Sequence, residues 1–166
     1  MFGSLFLFVF PFAMAFAAAS DVLTMKIPNW LSVAVAASFL AAGPLAGLGW
    51  QDLLMHAAAG AVMLIAGFAL FALRVLGGGD AKLLAAASVW IGFAPLVTFL
   101  AYVAIFGGVL AVAVLAYRSV PAGALPLPDW ALRLHVKGNG IPYGVAIAVG
   151  ALTVYPATPI FTSLSA

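Results

Sequence analysis

Residues 95–117, PLVTFLAYVAIFGGVLAVAVLAY, form a run of 23 residues without a charged side chain. An α-helix needs about 20 predominantly apolar residues to cross the hydrocarbon core of a bilayer, so this run predicts a membrane-spanning helix. Only helices and closed barrels satisfy every backbone polar group in lipid. The run therefore favours an all-α membrane protein.

The composition of the whole chain agrees with this interpretation. Of the 166 residues, 67% are hydrophobic and 6% are charged, whereas ordinary globular proteins carry about 25% charged residues. So few charges cannot cover the surface of a soluble protein, which excludes the soluble enzyme classes and indicates one membrane domain over residues 1–166. The net charge of +2 is too small to indicate nucleic-acid binding. The chain has no Cys and two His, which excludes a disulfide framework, a thiol nucleophile and a Cys-based metal site.

Six membrane spans are predicted when the chain is divided at its charges and at its Gly and Pro clusters. They cover residues 2–19, 30–49, 53–76, 82–94, 95–117 and 141–160. The fourth span is short, and Gly92 and Pro95 blur its boundary with the fifth, so five spans with a re-entrant segment remain an alternative. The first span has no basic residue at its start, so we expect a retained anchor and not a cleaved signal peptide.

The basic residues predict the orientation of these spans. All six lie on one side of this arrangement: Lys26 in the first connection, Arg74 and Lys82 flanking the third, and Arg118, Arg133 and Lys137 in the fifth. Because Lys and Arg favour cytoplasmic loops, this face is expected in the cytoplasm and both termini outside. The same arrangement puts Asp21, Asp80 and Asp129 on the cytoplasmic face and Asp52 on the outer face. The chain has no Glu, so any carboxylate chemistry depends on these four residues.

Asp21 and Asp80 are the strongest candidates for chemistry, because ionisable groups at the hydrocarbon boundary are costly and indicate a function by default. Asp21 continues the first apolar helix, whereas Asp80 directly follows three glycines. Consecutive glycines interrupt a helix and let another backbone approach. Two converging carboxyls can share a proton, so that one activates a water and the other protonates a scissile carbonyl oxygen. The pair therefore predicts a dyad like that of aspartic proteases.

Structural roles for the same polar residues remain open at this point. Asp21 can pair with Lys26 or cap the helix that begins near Asn29, and Asp80 can pair with Lys82 or cap its own helix. Asn29 is itself the expected N-cap of the second helix. Lys82 can lower the pKa of Asp80, orient a substrate or extend to the lipid headgroups.

Three other features favour structural interpretations. His56 is expected to be a core or interfacial histidine, and Asp52 is expected to cap a helix at the outer face. The connection 118–140 contains Trp130, Leu134 and basic residues, which predict a short segment lying on the membrane surface. Asp129 in this connection is expected to be exposed.

Three of these segments resemble the type IV prepilin leader peptidases, a family of membrane aspartic proteases of the GxGD type. The stretch GGGDAK matches the signature GxGDxK, with Gly77 and Gly79 at the glycine positions. Asp21, followed by a basic residue and Ile27-Pro28-Asn29, is similar to the segment of the first aspartate. The stretch GNGIPYG at residues 138–144 is similar to the opening of the last helix. The three matches occur in family order, from about residue 20 to 150.

The resemblance implies an endopeptidase that cuts prepilins or pseudopilins after a glycine, at the cytoplasmic boundary of a bacterial inner membrane. It implies Asp21 and Asp80 as the catalytic pair, with no metal or cofactor. The implied supporting residues are Gly77, Gly79, Lys82, Lys26, Pro28, Asn29, Pro142 and Tyr143. Larger members of the family carry a cytoplasmic zinc-binding domain linked to N-methylation. In its lack of cysteines and its early first span, the chain resembles the short, peptidase-only branch associated with tight-adherence (Flp) pili.

Two other functions remain open from the residues alone. One is a small proton- or cation-coupled transporter, but such proteins often have a broken helix in both halves, and no break in the second half matches the triple glycine. The other is a non-catalytic subunit of a secretion assembly.

Overall fold

The computed structural model describes residues 2–120, 127–136 and 138–165, so the predicted cytoplasmic residue Lys137 lies outside the described residues. Within these ranges the chain is built from helices and has no strand, which confirms the all-α class. The helices are α1 (Phe2–Thr24), α2 (Asn29–Leu45), α3 (Trp50–Ala72), α4 (Gly78–Ile91), α5 (Leu96–Ser119), α6 (Asp129–His135), α7 (Tyr143–Val154) and α8 (Pro159–Ser165), with a 3-10 turn at Tyr155–Ala157.

Among the described residues, three helices are long and apolar enough to cross a membrane, which agrees with a membrane protein. They are α1 over Phe6–Thr24, α3 over Trp50–Ala72 and α5 over Leu96–Ser119. The pair α7 and α8 would give a fourth span if it is counted as one bent segment. The helices α2 and α4 are shorter, with 17 and 14 residues. Six spans and outward termini therefore stay predictions.

The predicted last span, 141–160, is not one continuous helix. The chain bends by 57° between Ala157 and Pro159. Thr158 has an extended backbone, with ψ of 147°, because a residue that precedes a proline is disfavoured in the helical region. The Thr158 hydroxyl then accepts a hydrogen bond of 3.3 Å from the Phe161 amide and so caps α8.

The two short apolar helices α4 and α7 lie in the middle of the bundle. The helix α4 packs against α3, α2 and α7, and α7 also packs against α5 and α1. Trp90 of α4 is fully buried, stacks on Phe10 at 5.2 Å and donates a hydrogen bond of 2.8 Å to the Val35 carbonyl. A helix that is apolar on all sides is stable inside a protein core. Their burial therefore explains why both helices are apolar although neither has the length of a span.

Three helix ends meet at one end of the bundle: the C-terminus of α1 and the N-termini of α4 and α7. The helix α1 continues to Thr24 instead of ending at residue 19, which places Asp21 in its last turn. Met25 then adopts a left-handed backbone with φ of 56°, and its amide donates to the Asp21 carbonyl at 2.8 Å. A left-handed residue after the last turn is a common way to end a helix. This ending turns the chain toward α2.

Candidate active site

Asp80 lies in the first turn of α4, three residues after Gly77, which occupies the N-cap position. Its carboxyl folds back toward the Gly77 backbone. A Cβ atom on Gly77 would lie 2.6 Å from Asp80 Oδ2, closer than any side chain can approach. The absence of a side chain at Gly77 is therefore what allows the Asp80 carboxyl to occupy this position. The alternative role of Asp80 as the N-cap of its own helix is not found, because Gly77 occupies that position.

Gly79 has a different role in the same turn. A Cβ atom there would lie 3.2 Å from Ile27 Cβ and 3.6 Å from the Ile27 backbone nitrogen. Gly79 thus lets α4 pack directly on the segment that follows α1. The middle residue, Gly78, has room for a methyl group, since its nearest neighbour would be Phe71 Cε2 at 3.4 Å. The two outer glycines of the GxGD pattern therefore have a steric requirement that the middle position lacks.

Asp21 is buried, with 5% of its surface exposed, and Oδ2 accepts a hydrogen bond of 2.8 Å from the Gly144 amide. Gly144 is the second residue of α7, and amides in the first turn of a helix lack partners within that helix. Asp21 therefore caps α7 from another helix. Of the two structural roles considered for Asp21, neither is found in the described part of the chain: the carboxylate neither pairs with Lys26 nor caps α2.

Both aspartates line the same two cavities. The larger cavity, of about 900 Å³, also contains Gly77 and Tyr143. The smaller one, of about 650 Å³, contains most of the remaining predicted residues: Gly77, Gly79, Lys26, Pro28 and Asn29. The structure therefore brings together residues that are far apart in the sequence. Pro142 does not line either cavity but lies buried at the N-cap of α7, directly before this region.

The charge of the Asp21 carboxylate affects the pKa of Asp80. Asp80 lies outside the candidate spans, and burial raises its pKa to about 7 from an ordinary value of 3.8. The neighbouring Asp21 carboxylate also raises this pKa, while the amides of Gly77 and Gly144 lower it. A carboxyl with these neighbours exchanges its proton near neutral pH, which is a property that acid–base catalysis requires.

Lys82 and Asn29 contact each other instead of the aspartates. Lys82 Nζ donates a hydrogen bond of 2.9 Å to Asn29 Oδ1. The prediction that Asn29 caps the second helix is wrong, because Pro28 occupies the N-cap position and Asn29 is the first helical residue. The proposed pairing of Lys82 with Asp80 is also not found among the described residues, since the ammonium faces the amide oxygen of Asn29. The pair links the N-terminal part of α4 to the first turn of α2.

Arg118, which the sequence marks only as a basic residue in a connection, is part of this region. Its Nε atom donates to the Leu134 carbonyl at 2.7 Å, and Nη2 donates to the carbonyls of Asn139 and Gly140 at 2.8 and 3.0 Å. These bonds tie the last turn of α5 to the segment that leads into α7. Arg118 lines the larger cavity together with Arg74 and Arg133. This face of the cavity is therefore basic.

Gly144 is the second residue that the sequence analysis did not select. A Cβ atom there would lie 2.8 Å from Asp21 Oδ2 and 2.7 Å from Ile27 Cδ1. The signal was available as the last letter of GNGIPYG, but the pattern does not say which side chain the glycine faces. Its neighbour Tyr143 lies against Gly107 of α5, where a Cβ atom would overlap the phenol oxygen. The glycines thus leave room for two contacts at the start of α7. Gly144 leaves space for Asp21, and Gly107 leaves space for the Tyr143 ring.

The residues with expected structural roles lie away from the two aspartates. His56 is buried, stacks on Phe39 and has Nδ1 at 2.8 Å from the Val89 carbonyl, which confirms a core histidine. Asp52 accepts a hydrogen bond of 3.1 Å from the Gly49 amide and caps α3, as predicted. Trp130 lies in the short helix α6. No three His, Asp or Glu side chains of the described residues come close enough to hold a metal ion.

A model of the type IV leader peptidase family matches residues 8–112, which include Asp21 and Asp80 but not Gly144. No curated protein and no solved structure matches the chain.

Proposed function

Because the chain belongs to the type IV leader peptidase family, we propose that it is an aspartic endopeptidase that removes the leader from prepilins or pseudopilins. Family membership supports a function like that of the leader peptidases. The observation that carries the finer proposal is the meeting of Asp21 and Asp80 in one cavity, where the carboxylate of one raises the pKa of the other. Two carboxyls in this relation resemble the dyad of aspartic proteases, in which one proton is shared.

The proposed mechanism gives the two aspartates different roles. Asp21, held by the Gly144 amide, takes a proton from a water as the water oxygen attacks the scissile carbonyl carbon. Asp80, with a pKa of about 7, gives its proton to the carbonyl oxygen, so that a neutral tetrahedral diol forms. The proton held by Asp21 then passes to the leaving nitrogen while the C–N bond breaks, and the diol returns a proton to Asp80. Each cycle consumes one water and restores both carboxyls.

The substrate in this proposal has a leader followed by one apolar helix. The basic face formed by Arg74, Arg118 and Arg133 does not complement a basic leader. We therefore assign most of the recognition to the apolar helix and to the junction that follows the leader. A glycine before the scissile bond would help that junction to leave the helical conformation.

The site is proposed to face the cytoplasm of a bacterial inner membrane. Support comes from the basic residues that surround it: Arg74, Arg118 and Arg133 line the larger cavity, and Lys26 lines the smaller one. Lys and Arg near the ends of membrane helices favour the cytoplasmic side. The short, peptidase-only branch of tight-adherence pili is the proposed place within the family.

Asparagine variants of the two aspartates test this function. Asn at position 21 keeps an oxygen that can accept the Gly144 hydrogen bond, so Asp21→Asn removes the charge while preserving the cap. We expect Asp21→Asn and Asp80→Asn each to lower cleavage of a co-expressed prepilin by at least about 100-fold, as loss of acid–base catalysis typically does. Asp52→Asn, at the other end of α3, is the matched control and should cleave normally. Full activity in either site variant would contradict the assignment of Asp21 and Asp80 as a catalytic pair.

A further inference from the structure

An open apolar groove lies between α2 and α3. Both helices pack against α4 but have little contact with each other. The space between them has a volume of about 700 Å³. Small side chains form much of its lining: Ala36, Ala37, Ala57, Ala61 and Ala85. Such side chains let the backbone of another helix approach closely, which is how helices associate in membranes.

Ser32 is a polar group in the wall of this groove whose hydrogen bonding is incomplete. Its side chain is buried, with 7% of its surface exposed, and Oγ has no partner among the described residues. A buried hydroxyl without a partner costs free energy, so it indicates a missing contact. Ser32 lines the groove, and a change of its side-chain rotamer would bring Oγ to a polar atom of an occupant.

The groove leads to the aspartates. Asn29 lines both the groove and the smaller cavity, which contains Asp21 and Asp80. Along α2 the lining extends from Asn29 to Leu40. At 1.5 Å per residue this length is about 16 Å, or roughly three helical turns. A helix in the groove would therefore end beside the smaller cavity.

We propose that the groove holds the membrane-spanning helix of the peptide substrate, with the scissile end next to Asn29. The inference rests on the proposed function and adds the surface that recognises the substrate. The small lining suits a helix backbone, and Ser32 lies in the wall of the groove. The polar pair of Asn29 and Lys82 lies at the end where the substrate leaves the apolar region. A phospholipid is the competing occupant.

A bulky substitution in the groove tests the inference. Ala61→Trp would fill the groove from α3, whereas Ala104→Trp adds the same side chain to an exposed position of α5 and is the matched control. We expect Ala61→Trp to lower kcat/KM for a prepilin roughly tenfold or more, mainly through KM, and Ala104→Trp to leave it unchanged. If wild-type protein cleaves the prepilin and Ala61→Trp cleaves it equally well, the groove assignment is wrong and the proposed function stands. If wild-type protein does not cleave it, both fail.

Disulfide cross-linking gives a second measurement that does not depend on activity. The chain has no native cysteine, so Ala61→Cys and Ala104→Cys can each be combined with Asp80→Asn and with a prepilin that carries one cysteine in its apolar helix. We expect oxidation to join the prepilin to position 61 and not to position 104. Loss of cleavage in Ala61→Trp without a cross-link at position 61 would mean that lipid fills the groove, and equal cross-linking at both positions would also overturn the proposal.

Discussion

Asp21 and Gly144 are separated by 123 residues in the sequence, and the carboxylate of one accepts a 2.8 Å hydrogen bond from the amide of the other. The bond joins the last turn of α1 to the first turn of α7. It satisfies an amide that has no partner within α7, and it fixes the orientation of the carboxyl that we assign to water activation. The position of Asp21 is therefore set by tertiary packing and not by its own helix.

Replacement of Gly144 by Ala should disturb this bond. The added methyl group would lie 2.8 Å from Asp21 Oδ2 and 2.7 Å from Ile27 Cδ1, so one of these groups must move. We expect a loss of unfolding free energy of about 1–3 kcal/mol, the usual cost of overpacking, together with slower prepilin cleavage. The measurements are thermal unfolding in detergent and the cleavage rate.

Gly108→Ala is the control for this substitution. Gly108 lies in α5, and a Cβ atom there has no neighbour within 4 Å. Alanine is favoured over glycine within a helix by about 1 kcal/mol, so this variant should be as stable as wild type or more so. Equal behaviour of the two variants would show that the space around Gly144 is not critical.

The sequence predicted the aspartates better than it predicted their hydrogen bonds. Asp21 and Asp80 stood out because both lie beside apolar segments, where charge is costly, and the structure brings them into one cavity. The hydrogen-bond partner of Asp21, the Gly144 amide, could not be predicted in the same way. Asp21 caps a helix other than its own, and such a contact depends on how the helices pack. Pro28 and Asn29 show the same limit at the start of α2, because the residue expected to cap that helix instead binds Lys82.

The helical class followed directly from composition, whereas the number of spans did not. Hydropathy does not distinguish a helix buried in protein from one surrounded by lipid, and α4 is buried in protein. The break in the last predicted span had a signal in the sequence, because Pro156 and Pro159 lie within a few residues of each other. Two prolines so close together disfavour a continuous helix.

The pKa of Asp80 predicts how stability depends on pH. Because the folded protein holds this proton up to about pH 7 and the ordinary carboxyl loses it near 3.8, the stabilisation is complete below about pH 4 and decreases as the pH rises through 7. Thermal unfolding in detergent should therefore give a higher midpoint at about pH 5 than at about pH 8. Asp80→Asn should flatten this dependence, and Asp52→Asn should not. If the unfolding midpoint of Asp80→Asn depends on pH as that of wild type does, a group other than Asp80 causes the dependence.

The same proton predicts how activity depends on pH. In the proposed mechanism Asp80 must be protonated before the water attacks, so cleavage should slow as the pH rises through about 7. The apparent pKa in a pH profile of kcat/KM belongs to the free enzyme. It should therefore agree with the pKa of about 7 for Asp80. A rate that increases steadily from pH 6 to about 9 would contradict the assignment of Asp80 as the proton donor.

Arg118→Lys should weaken the connection between α5 and α7. Lysine keeps the charge but has no planar fork, so it cannot reproduce bonds from both Nε and Nη2 to three carbonyls. Hydrogen bonds to charged groups contribute about 1.5–3 kcal/mol each, and we expect a loss of unfolding free energy of about that size. Prepilin cleavage should decrease as well, because the tied segment leads to Gly144.

Arg133→Lys is the matched control for this change. Arg133 lines the same cavity, but its guanidinium makes no hydrogen bond within the described residues, so the lysine variant preserves the charge without removing such a bond. If both lysine variants lose the same stability and activity, the carbonyl contacts of Arg118 are not what causes the loss.

The three glycines before Asp80 should respond differently to alanine. Gly77→Ala places a methyl group 2.6 Å from Asp80 Oδ2 and should displace the carboxyl, so we expect the largest loss of cleavage there. Gly79→Ala meets Ile27 Cβ at 3.2 Å and should cause an intermediate loss, together with about 1–3 kcal/mol of destabilisation from overpacking. Gly78→Ala meets only an ordinary contact of 3.4 Å with Phe71 and should cleave like wild type. Cleavage rates and unfolding midpoints of the three variants, measured side by side, test this order. Inactivation by Gly78→Ala to the same degree as by Gly77→Ala would mean that the flexibility of the whole segment, and not the space at two positions, is what the site requires.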